Sequence, residues 1–137
     1  MLRRNSRIRA LFALYNYDLL GEKPSEDHLD FLFEEAGADY DQEFYRELLE
    51  GVIKNYQEIN RVINRNIKNW TLSRMSAVDR NLVRIGTYEL LYTDTPKPII
   101  INEILELTHE YSETDSMTES RFTNRLLEQI ARSINGK

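Results

Sequence analysis

The chain has 137 residues, 41% of them hydrophobic and none of them cysteine. That length suits one domain able to bury about two-thirds of its unfolded surface. The absence of cysteine excludes disulfides and thiolate chemistry and is compatible with a reducing cytoplasm. A net charge of −5 argues against nucleic-acid binding only while charge is totalled. Residues 1–10 carry four arginines and no acid, and residues 18–50 carry twelve acids against two bases. Residues 54–84 then carry seven bases against two acids, and residues 85–137 nine acids against five bases. A chain polarised in this way can present a positive face to phosphates while the rest stays acidic and soluble.

The opening MLRRNSRIRALFALY has the basic start of a secretion signal. Its apolar stretch is short, however, Tyr15, Asn16 and Tyr17 interrupt it, and no small-residue cleavage site follows, so it reads as a folded helix of a cytoplasmic protein. No apolar run approaches the roughly 20 residues needed to span a bilayer, and no membrane partner is expected. Ile8, Leu11, Phe12, Tyr15 and Leu19 follow helical spacing and predict a first helix over roughly 4–20. Gly21 to Pro24 ends it. Ser25 caps a short second helix with Leu29, Leu32 and Phe33, stopped near Gly37. Asp41 starts a third, with Phe44, Tyr45, Leu48, Leu49, Val52 and Ile53 in register. A fourth carries Ile59, Val62, Ile63, Ile67 and Trp70 and ends near Thr71.

Ser76 is placed to cap a fifth helix, with Asp79 at the capping-box position and Val78, Leu82, Ile85 and Leu90 at helical spacing. The run Thr93-Asp94-Thr95-Pro96-Lys97-Pro98 stops it, because proline disfavours helix in the residue before it. A sixth helix follows with Ile101, Ile104, Leu105 and Thr108 on one side. The last, from about Thr118, uses Phe122, Leu126, Leu127, Ile130 and Ile134. Seven helices with short connections, no strand pattern and no internal repeat predict an all-α bundle forming one domain over 1–137.

Support for catalysis is thin. His28 and His109 are far apart in sequence and sit among acids, as exposed helical histidines do. Glu103, Glu106 and Glu110 share a helix face, but no second Glu-x-x-His helix completes a carboxylate-bridged metal site, so they read as a solvated face. No phosphate loop or nucleophile elbow occurs. The expectation is a protein that is not an enzyme, without metal or cofactor. Arg3, Arg4, Arg7 and Arg9 share the opening helix with Tyr15 and Tyr17. Arginines clamp phosphates and tyrosines stack on unpaired bases. A basic terminus with two half-buried tyrosines explains the same residues equally well.

The wording of residues 76–111 adds family information. Arg84, Ile85, Gly86, Tyr88, Glu89 and Leu90, followed after a proline turn by Ile101, Asn102, Glu103, Glu106 and Leu107, resemble the R-[IL]-[AG]-x-Y-E-L and V-x-I-N-E-[AL]-[IV]-E-L motifs of the NusB family of bacterial transcription antitermination factors. The resemblance implies an all-α fold of two small helical subdomains. It also implies an RNA-binding edge formed by an arginine-rich segment followed by A-L-Y, matched by Ala13-Leu14-Tyr15. The family's K-F-V-N-G corresponds to Arg121-Phe122-Thr123-Asn124-Arg125, so Arg121, Phe122 and Asn124 carry over as RNA-contacting residues. Arg125 stands where the family has glycine, and Met117 to Ser120 alter the small-residue and histidine run before it. Arg125 lies one turn from Arg121 and can add a phosphate contact or crowd a close partner backbone. Phe122 also fits the apolar stripe of its helix. Asp79 occupies the position of a family acid at the RNA-and-partner junction, although capping explains it as well. Glu89 and Glu103, family-defining acids, read as structural groups that fix helix packing.

The implied function is a bacterial antitermination factor that binds single-stranded boxA RNA together with NusE, a small-subunit ribosomal protein. It would act within the RNA polymerase antitermination complex and support ribosomal RNA transcription. The alternative is a NusB-like RNA-presenting module of a ribosomal RNA cytosine methyltransferase; no Gly-rich cofactor loop or catalytic cysteine of such an enzyme occurs in this sequence.

Overall fold

The computed structural model describes residues 2–34, 39–67, 72–112 and 116–135, and among them every regular element is helical. In chain order these are α1 (Leu2–Leu20), α2 (Glu26–Glu34), α3 (Gln42–Lys54), α4 (Tyr56–Asn66), a 3₁₀ turn at Leu72–Arg74, α5 (Ala77–Tyr92), α6 (Lys97–Tyr111) and α7 (Ser116–Asn135). The expected stops at Gly37 and Thr71, and Trp70, lie outside the described residues, as do the side chains of Leu32 and of Met117 to Ser120.

Local chemistry sets the boundaries. Gly21 takes φ +82°, a conformation that favours glycine, and donates its N–H to the Tyr17 carbonyl, closing α1. The Asp41 carboxylate accepts the Phe44 N–H at 3.0 Å and opens α3. Asn55 donates to the Gly51 carbonyl and accepts from Ile59, so one residue ends α3 and starts α4. The Ser76 hydroxyl accepts the Asp79 N–H at 3.1 Å and opens α5. Helix α4 is shorter than the apolar spacing suggests: Ile67 is already extended, and the chain turns again through the 3₁₀ segment.

Helix α5 is the axis of the bundle. It packs against α1 and α3 on one side and α4, α6 and α7 on others, and every residue from Asn81 to Leu90 is buried. Leu14, Leu48, Ile59, Leu82, Ile85, Ile104 and Leu127 belong to one continuous hydrophobic cluster. The α1–α3 and α4–α7 groups therefore share a single core that runs through α5. Close approach requires small residues: a Cβ on Gly51 would overlap the Tyr88 ring, and one on Gly86 would meet Ile104 at 3.0 Å and Leu127 at 3.2 Å. Helix α6 buries Ile100, Ile104, Leu107 and Thr108, whereas Ile101 and Leu105 are only half-buried. Its inward face is thus rotated from the expected one. Both sets have helical spacing, and packing against α5 and α7 selects between them.

Candidate nucleic-acid interface

A helix buried all round must pair its polar groups, and α5 draws its partners from α1. Arg7 donates from Nε and Nη2 to the two carboxylate oxygens of Glu89, each at 2.8 Å, and its remaining nitrogen lies 3.6 Å from Glu103. Arg7 is 3% exposed and Glu89 fully buried. The fork expected to meet phosphate is filled by a carboxylate inside the protein. Glu89 has the structural role its motif suggested.

The neighbouring arginines are also engaged. Arg9 donates to Glu26 and Asp30, both at 2.8 Å, and lies over the rings of Tyr40 at 4.6 Å and Tyr45 at 5.1 Å. Burial alone would lower its pKa, but the hydrogen bonds to Glu26 and Asp30 raise it further above the usual arginine range. Arg3 is exposed, with its guanidinium 4.2 Å above the Phe44 ring. Arg4 is held by three glutamates of α6, Glu110 at 2.7 Å, Glu106 at 3.0 Å and Glu103 at 4.0 Å. The acidic face of α6 is therefore not simply solvated; it receives Arg4. Among the described residues no group of three or more acids, histidines or cysteines is arranged to hold a metal ion.

At the other end of α1, Asp18 accepts from Arg80, Asn81 and Arg84. Burial would raise its pKa, yet the hydrogen bonds from Arg80 and Arg84 hold it below the usual carboxylate value. The Arg84 guanidinium also rests 4.6 Å over Tyr56, and Tyr17 meets Tyr56 edge to face at 5.5 Å. Tyr17 is half-buried in this aromatic stack, which supplies its structural role.

Between these two networks lies an apolar groove of about 320 Å³ lined by Leu11, Phe12, Tyr15, Asn16, Val78 and Tyr111. Tyr15 is half-buried on its wall. Asn16 donates to the Phe12 carbonyl through its amide nitrogen, which leaves its side-chain oxygen as an acceptor. Asp79 and Ser112 adjoin the groove residues Val78 and Tyr111 in the chain and bond to each other at 3.3 Å. Asp79 is 1% exposed, and its second carboxylate oxygen has no partner among the described residues. The reciprocal half of a capping box is thus not made; Asp79 ties the start of α5 to the end of α6 instead. Phe12, Asn16 and Tyr111 went unnoticed in the sequence because Phe12 reads as plain core stripe and Tyr111 is distant in the chain.

Helix α7 supplies the remaining expected residues. Arg121 and Arg125 are exposed one turn apart, while Asn124 is half-buried and Phe122 packs against the core. This helix packs on α4, α5 and α6, whereas α1 packs chiefly on α3 and α5. The two sets of expected residues therefore come from separate elements around the α5 axis. No helix of the described residues is long and apolar enough to cross a membrane.

The arrangement agrees with known proteins along nearly the whole chain. The NusB family pattern matches residues 4–132, and the chain belongs to the NusB family. It is 37% identical to the transcription antitermination protein NusB of Myxococcus xanthus, over 97% of this chain and 96% of that protein. The solved structure of T. maritima NusB is 31% identical and superposes with a TM-score of 0.78 over 96% of this chain and 92% of that one. A NusB solved with NusE and double-stranded RNA shares the fold, with a TM-score of 0.77 at 24% identity over 95% of this chain and 96% of that one.

Proposed function

We propose that this chain is a bacterial transcription antitermination factor of the cytoplasm that binds single-stranded boxA RNA jointly with NusE. It would act in the RNA polymerase antitermination complex and support ribosomal RNA transcription. The observation that carries the reading is the groove beside α1, where Tyr15, Phe12 and Tyr111 offer aromatic surface for an unpaired base. Arg3 and Arg4 at the start of the same helix, and Arg121 and Arg125 on α7, supply the charge for phosphates. Tyr17, Asp79, Phe122 and Asn124 complete the set; Asp79 is buried and ties the start of α5 to the end of α6 beside the groove. A protein of the same fold has been solved with NusE and double-stranded RNA, which supports NusE and RNA as the classes of partner. Curated relatives match over nearly their whole length, which favours the factor over the methyltransferase module.

A protein with net charge −5 and few free arginines binds single strands weakly by itself. A ribosomal protein docked beside the RNA adds charge and contacts, so the two ligands bind with positive coupling. Linkage makes that coupling reciprocal. Calorimetry in both orders of addition tests it: RNA tightens NusE binding by the factor with which NusE tightens RNA binding. Tight boxA binding by the isolated chain, indifferent to NusE, overturns the joint mechanism.

A further inference from the structure

Of the arginines at the start of α1, Arg4 is paired where the fold does not require it. Arg7 and Arg9 expose at most 4% of their side chains, but Arg4 exposes 25%, and its partners Glu106 and Glu110 expose 51% and 49%. Each terminal nitrogen of Arg4 donates to one carboxylate, Nη1 to Glu106 and Nη2 to Glu110. That two-point arrangement is the one a phosphate would occupy. Asn102 donates to the other oxygen of Glu106 at 2.9 Å and steadies it. Glu89 and Glu103 already serve the buried Arg7, so Glu106 and Glu110 form an acidic surplus facing Arg4.

We propose that Glu106 and Glu110 are intramolecular competitors for RNA phosphate at Arg4, a gate built into the face of α6 and resting on the reading of α1 as an RNA-binding helix. In the free protein the carboxylates occupy the guanidinium, and a phosphate approaching Arg4 first meets two negative charges. Binding requires both glutamates to swing out to solvent, which their exposure allows. The gate weakens capture of RNA that offers phosphates alone and leaves Arg4 for ligands whose other contacts offset the displacement.

The test compares the full chain, E106Q/E110Q, R4A and R4A/E106Q/E110Q, each titrated with a short boxA-bearing single-stranded RNA in the presence of NusE at several salt concentrations. Glutamine keeps the shape and removes the charge. The expected result is binding about two- to tenfold tighter for E106Q/E110Q at low salt, with the gain shrinking as salt screens the two carboxylates. The same pair of substitutions changes nothing once Arg4 is alanine. Equal tightening in the R4A background, or no tightening while the unaltered chain binds, overturns the gate and leaves the RNA reading standing. Absence of binding by all four folded proteins overturns the RNA reading and the gate together.

Discussion

Arg7 on α1 and Glu89 on α5 are joined by two parallel hydrogen bonds of 2.8 Å, and neither side chain is more than 4% exposed. The pair fastens the basic helix to the central one. It also engages inside the protein an arginine that charge clustering alone would assign to a phosphate-facing surface.

Breaking such a pair strands a buried charge. Arg7→Ala and Glu89→Gln should each cost about 3–5 kcal/mol, lowering the melting temperature by roughly 10–17 °C for a domain of this size. The double change to Met and Leu should cost far less than the two single losses combined, because no charge is then left unpaired. Thermal melts of the four proteins measure this. RNA affinity, corrected for the unfolded fraction, should not change; a large specific loss in Arg7→Ala would return Arg7 to the binding surface.

Asp18 makes stability depend on acidity. Burial works against its charge, but Arg80 and Arg84 hold its folded pKa below the unfolded value, which lies at about 3.9. Its contribution is therefore present above about pH 4 and is lost as pH falls through the lower folded value. Asp18→Asn should lose about 2–4 kcal/mol near neutral pH, and the gap from the parent should narrow below about pH 4. Urea titrations across pH 2.5–7 follow the gap, and a difference independent of pH would contradict the assignment.

Tyr15 separates groove from core. If its ring carries a base, Tyr15→Ala should cost about 1–3 kcal/mol of RNA affinity in the presence of NusE, and Tyr15→Phe much less because the ring face survives. Anisotropy titrations with parallel melts distinguish the outcomes. A lowered melting temperature with intact affinity would make Tyr15 a packing residue.

The helices were legible in the sequence because their signals are local. Ser76 caps α5 through a bond to Asp79 three residues on, Asp41 does the same for α3, and the run around Pro96 has to interrupt a helix. Spacing of apolar residues then placed the seven helices, and the motif around Arg84 to Glu89 placed the chain in its family. The candidate site was legible only in part. Clustered arginines showed that positive charge was present, but not which of them would be free. Arg7 and Glu89 are 82 residues apart, and Arg4 and Glu110 are 106 apart. Such pairs form only when packing sets the rotation of each helix about its own axis, and α6 was turned from its expected face by that same packing. Caps and turns bind neighbours in the chain and can be read from it directly. Ion pairs, groove walls and exposure depend on which faces of distant helices meet, and that is settled by the shared core around α5.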